Sequence, residues 1–174
     1  MNRPVTLAIT GDVMLGRLVN TEILRKGFDH PWGTVLPALQ KADLCLINLE
    51  CAITSSTQRW HNGEYKAFYF GADPIAASTL RLASVDFASL ANNHICDFGA
   101  TGLNDTVATL DQEGIAHAGA GTDLTAARAP ALLPTAGLKV AGVAFARLPG
   151  AGAAPTSSPG IHHTPGALHC AVFL

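Results

Sequence analysis

Leu90-Ala91-Asn92-Asn93-His94-Ile95-Cys96-Asp97-Phe98-Gly99 decides how this chain is read. The stretch closes an apolar run, Phe87 to Ala91, and precedes a helical pattern that begins near Thr101. Asn92, Asn93, His94 and Asp97, all able to bind a metal or a phosphate, fall within six residues. Ligands of an open α/β sheet bind in the crevice beyond the carboxyl ends of its strands. The stretch therefore predicts a site at a sheet edge, and the question becomes which other residues reach it.

Two other apolar runs end in acids. Val5 to Thr10 reads as a buried strand stopped by Gly11-Asp12. Asp12 can cap the helix expected over Leu15 to Lys26, act as a ligand, or do both. Asp43 to Glu50 repeats the pattern, and a two-residue period places Asn48 and Glu50 on one side. A carboxylate in so apolar a setting must be paired, hydrogen-bonded or metal-bound. Lys66 to Phe70 predicts a short strand with Lys66, Phe68 and Phe70 on one face; Lys66 either meets a substrate anion or is solvated surface.

Helices are expected over Trp32 to Lys41, over Pro74 to Ala83 with Asp73 as N-cap, and over Gly102 to Glu113, stopped by Gly114. Thr54 to Glu64 reads as a polar loop, and Leu138 to Phe145 as the last clear strand. Strands alternating with helices predict a largely parallel α/β sheet. From Leu148 onward prolines alternate with glycines and no period survives, so residues 148–174 are expected to form a tail, with one stray strand at Ala167 to Leu174. His162 and His163 are candidate metal donors in the tail.

A chain of 174 residues fits one domain with a real core. Apolar residues make up 48% and charged residues 14%, which excludes a disordered chain. The net charge of -2 gives no footprint for nucleic acid. Cys45, Cys51, Cys96 and Cys170 form no C-x-x-C pair and read as buried free thiols of a reducing compartment. The apolar run near Met1 is too short for a signal peptide or a membrane span, so a cytoplasmic location is expected.

In a parallel sheet the strand ends share one edge, so Asp12, Glu50 and Asn92-Asn93-His94 can converge. Oxygen-rich donors with an imidazole suit Mn, Mg, Zn or Fe, and two carboxylates can bridge a metal pair about 3.5–4 Å apart. His94 could protonate a leaving oxygen or ligate metal. Any one of these residues alone is readily explained as a helix cap; together they predict a site.

Four motifs carry a family resemblance: Thr10-Gly11-Asp12-Val13-Met14-Leu15-Gly16-Arg17, Asn48-Leu49-Glu50, Lys66-Ala67-Phe68-Tyr69-Phe70, and Ala91-Asn92-Asn93-His94-Ile95-Cys96-Asp97-Phe98-Gly99. In order and spacing they resemble the CapA family of capsule synthesis, linked to bacterial poly-γ-glutamate production, over residues 5–147. That family is similar to calcineurin-like metallophosphoesterases, which implies a layered α/β/β/α sandwich with a two-metal site, here its N-terminal part over residues 1–147. The resemblance implies Asp12 as the first-strand metal ligand, Glu50 as the bridging carboxylate, and Asn93 and His94 as the pair that binds metal and assists the leaving group. Asn92 and Lys66 are expected on the substrate side.

Met14 stands where the esterases place a histidine, which implies that one metal is weakly held or absent. Later histidine motifs are missing, which predicts a truncated or frame-shifted relative whose last residues are not family sequence. An exposed sheet face, and with it self-association, would follow. Two functions are implied: a metal-dependent hydrolase of a phosphoester or polyglutamate-type amide, or a non-catalytic accessory of a polyglutamate synthesis and export complex. An inactive relative is a third. Family members are often membrane-associated.

Overall fold

The apolar runs need neighbours on both sides, and they find them in a parallel sheet. The computed structural model describes residues 4–61, 65–135, 138–146, 157–164 and the backbone of 169–173. In chain order the first elements are β1 (Leu7–Val13), α1 (Arg17–Lys26), α2 (Leu36–Lys41), β2 (Leu44–Leu49), β3 (Ala52–Ile53) and β4 (Gly71–Ala72). There follow α3 (Ala77–Leu82), β5 (Phe87–Ser89), α4 (Gly99–Glu113), β6 (Ala116–Ala118), β7 (Ala120–Gly121) and α5 (Leu124–Arg128). The last are β8 (Ala131–Thr135), β9 (Leu138–Ala146), β10 (Gly160–Ile161) and β11 (His169–Phe173).

Four parallel strands form the main sheet in the order β1-β2-β5-β6. Central β2 and β5 are almost wholly buried, as their unbroken apolar runs require. The carboxyl ends fall in register, Asp12 opposite Asn48 and Asn48 opposite Ser89. The register of β1 shifts between Ile9 and Asp12, a bulge of the kind that re-aims side chains beside sites.

A second sheet, antiparallel in the order β11-β9-β8, packs with β9 across β5 and β6. Leu133, Ala144 and Ala146 bury themselves there. Gly142 has to be glycine, because a Cβ on it would collide with the Phe87 ring. The α/β class with two facing sheets is thus present.

Several local expectations change. The first strand is not buried: β1 is an edge strand, and Ile9 is 63% exposed because only β2 flanks it. Lys66 to Phe70 is not a strand, since the Phe70 N–H donates to the Asp97 carboxylate instead of to a ladder partner. The second helix starts at Leu36, after a 3-10 turn at Gly33–Val35. Asp73 does cap its helix, accepting from Ile75 N, but the first turn, Pro74–Ala76, is 3-10.

The structure carries order past residue 147. β10 pairs with β7, Ile161 is buried, and β11 pairs with β9 where a stray strand is expected. His162 N donates to Gly119 O, and His162 O accepts from Ala146 N. His162 Nδ1 lies 3.0 Å from Ala144 O, which ties this ring to the β9 backbone. Residues 147–156 and 165–168 lie outside the described set.

Candidate functional site

One hydrogen-bonded network joins the strand-end residues. The Asn48 amide on β2 donates to Asp12 Oδ1 and to Glu50 Oε1, each at 2.8 Å. Both its hydrogens are thereby used, and the two carboxylates are tied to a single nitrogen. Its oxygen accepts from Asn92 Nδ2 at 3.1 Å, and the same Asn92 amide donates to Leu49 O at 2.8 Å. Asn92 Oδ1 accepts from the backbone N–H of His94 and of Ile95, at 3.0 and 3.1 Å. Asn92 is fully buried, and this bonding occupies both its amide hydrogens and both its carbonyl lone pairs. Its part in the structure is to lock the His94 turn onto β2.

His94 completes the line. Its Nδ1 lies 2.8 Å from Asp97 Oδ2, and its ring stacks on Phe70 with centroids 3.9 Å apart. With Nδ1–H donating to the carboxylate, the neutral ring keeps its lone pair on Nε2. Asp97 is 0% exposed and is also bound by Lys66 Nζ and by Phe70 N, the latter at 2.6 Å. A carboxylate so deeply buried needs such partners. Lys66 further donates to Asn93 O at 2.7 Å, leaving one ammonium hydrogen for a ligand. Asn93 itself is exposed.

Asp12 and Glu50 are the carboxylates that could hold a divalent cation, with Asn93 and His94 Nε2 as further donors. Among the described residues, no three His, Cys, Asp or Glu side chains lie close enough to enclose an ion. The Met14 sulfur accepts from Gly16 N at 3.0 Å. This donor set suits a hard cation whose shell is completed by water, as Mg2+ is held, and does not fit a closed four-ligand zinc centre.

Beside Asp12 opens a cavity of 490 Å³ whose walls include Met14, Leu18, Val19, Trp32 and Glu22. Arg25 and Lys26 hold the Glu22 carboxyl down at about 2. The thiols of Cys45, Cys51 and Cys96 are free and pushed up to about 11, 12 and 11, chiefly by burial, so they are inert. The Cys170 side chain lies outside the described set.

One residue of the network, Asn48, carries no site role in the sequence alone. Asn48 was visible as sharing a face with Glu50, a spacing that points to a common environment. Asp97, one of the groups expected to bind a metal or a phosphate, instead holds the His94 ring three positions earlier, the reach of a side chain around one turn.

The family profile described as "Bacterial capsule synthesis protein PGA_cap" matches residues 6–168, beyond the limit at 147 drawn from the motifs. The chain is 42% identical over 130 residues to the "Probable polyglutamine synthesis accessory protein" of Mycobacterium tuberculosis (strain ATCC 25618 / H37Rv), covering 71% of this chain and 33% of that protein. It is 28% identical over 144 residues to "Capsule biosynthesis protein CapA" of Bacillus anthracis, covering 83% and 35%. It is 26% identical over 159 residues to "PGA biosynthesis protein CapA" of Bacillus subtilis (strain 168), covering 90% and 41%. The chain thus spans roughly a third of the length of these curated relatives. A profile match over nearly the whole chain, on the fold and the strand-end motifs described above, places this chain in the PGA_cap family of bacterial capsule synthesis proteins.

Proposed function

We propose that the chain serves poly-γ-glutamate capsule synthesis as a metal-dependent hydrolase of a phosphoester or polyglutamate-type amide. The observation that carries this reading is the unbroken network from Asp12 and Glu50, through Asn48 and Asn92, to the His94–Asp97 pair. A divalent cation at the two carboxylates would supply Lewis acidity toward the substrate and its attacking water. His94 takes a proton from the attacking water on its Nε2 lone pair and then delivers it from Nε2 to the leaving oxygen or nitrogen. Asp97 fixes the ring's tautomer and balances its charge while the proton resides there. The remaining hydrogen of Lys66 binds a substrate oxyanion, and Asn93 adds a donor or acceptor. Asn92 orients the turn and does not touch substrate.

The test combines titration calorimetry with Mn2+ and hydrolysis assays on an aryl phosphate and on a γ-glutamyl anilide. Wild type is expected to bind the ion, Asp12→Asn to lose it, and His94→Ala to bind it while turning over at least about a hundredfold more slowly. Equal turnover in wild type and His94→Ala would sink the reading.

A second reading, a non-catalytic accessory of polyglutamate synthesis or export proteins, draws support from the lack of three converging metal-ligand side chains among the described residues. The printed name of the Mycobacterium relative points the same way. No helix among the described residues is long and apolar enough to cross a membrane. Ion binding without turnover, together with co-purification of a polyglutamate ligase, would favour it.

A further inference from the structure

We infer that Arg17 is an anchor for an oxyanion of the substrate, a carboxylate or phosphate beyond the reacting bond. This rests on the reading of the His94 edge as a substrate site.

The observation is a strained backbone with a purpose. Arg17 has φ +54, a region that a residue with a Cβ rarely adopts, and the one other such residue among those described is Ser84, next to the end of α3. Its neighbours hold it there. A Cβ on Gly16 would lie 2.8 Å from Gly71 O, so the chain passes tightly against β4. Gly16 N donates to Met14, and Gly16 O accepts from Val19 and Asn20. Strain of this kind persists where the surroundings over-determine it, and it clusters at functional sites.

What the strain achieves is the placement of a guanidinium. Arg17 Cζ stands 4.8 Å from the centroid of the Phe68 ring, which is itself 53% exposed. Phe68 lies 6.3 Å from Phe70, and Phe70 stacks on His94, so an aromatic shelf runs from Arg17 to the candidate acid. Among the described residues, no carboxylate forms an ion pair with Arg17. Its planar fork therefore remains available for two parallel hydrogen bonds to a carboxylate or phosphate. Arg59 and Lys66 stand over Tyr69, at 5.1 and 5.7 Å, on the same segment. In a chain of net charge -2, this is a local concentration of cations and not a general excess.

The test is fluorescence anisotropy with fluorescein-labelled hexaglutamate and hexaglutamine, and competition by tripolyphosphate, all in EDTA. Omitting metal keeps the outcome independent of whether Asp12 and Glu50 hold an ion or His94 catalyses. Arg17→Gly is expected to weaken binding of the anionic probe about tenfold or more. Its melting temperature should not fall, because glycine adopts φ +54 freely. Arg17→Lys, which keeps the charge without the fork, should fall between, and Phe68→Ala should weaken binding in the same direction. An effect of Arg17→Gly on hexaglutamate identifies a carboxylate ligand, and an effect on tripolyphosphate alone identifies a phosphate. Anionic probes that bind Arg17→Gly as they bind wild type, that bind neither protein, or that bind no better than hexaglutamine would overturn the inference.

Discussion

Removing the Asp97 carboxylate is the sharpest perturbation of this fold. The side chain is 0% exposed and has three partners, the Lys66 ammonium, Phe70 N and His94 Nδ1. Asp97→Ala leaves Phe70 N and His94 Nδ1 without their acceptor, the latter on a side chain only 13% exposed. Lys66, at 27%, can turn toward water. Leaving those two donors unsatisfied costs about 1–3 kcal/mol each, or about 2–6 kcal/mol together. For a chain of this size, that is a fall of roughly 4–24 °C in melting temperature.

Lys66→Met should cost less, because Asp97 retains two N–H donors. The double variant should be milder than the sum of the single ones by about 1 kcal/mol or more, since the residues share a contact. Urea unfolding of the four proteins at pH 7 measures this. A loss below about 1 kcal/mol for Asp97→Ala, or strict additivity, would mean that Asp97 does not hold the Lys66–Phe70 segment against the His94 turn.

Three other outcomes are expected. Gly142→Ala drives a Cβ into the Phe87 ring between the sheets and should cost about 1–3 kcal/mol in urea unfolding, against none if β9 does not pack there. Burial raises the Asp86 carboxyl above its ordinary value, so its ionisation opposes folding: the benefit of the neutral form is complete below the unfolded value and is lost as pH rises through the folded one. Asp86→Asn, which can still accept from Cys45 N, should therefore melt higher than wild type at pH 7, with the gap closing toward about pH 4; a gap that widens in acid would contradict this. Cys45, Cys51 and Cys96 should resist iodoacetamide at pH 8 in the native protein and react in urea, as peptide mapping can read residue by residue.

The sheet edge was legible because β2 and β5 are apolar runs too short for helices, each ending in polar residues. Period two then put Asn48 and Glu50 on one side. What failed to show was anything decided by a distant partner. The apolar run of β1 looks like that of β2, and only its place at the sheet edge exposes Leu7 and Ile9. The alternation in Lys66–Phe70 mimics a strand, but the Phe70 N–H answers to a carboxylate 27 residues away. Gly160–Ile161 pairs with β7 over two residues, too few for any period to register.

The two amides explain why these motifs hold together as one unit. Asn48 and Asn92 offer between them four N–H donors, spent on Asp12, Glu50, Asn48 itself and Leu49 O. An aspartate at either place would lose two donors and set a further charge beside those carboxylates. A leucine at 92 would take their Asn92 partner from Leu49 O and from the N–H groups of His94 and Ile95. Asparagine alone satisfies both β2 and the His94 turn, so the spacing of the amides fixes the imidazole relative to the acids. The chemistry proposed for His94 therefore depends on residues that need never touch the substrate.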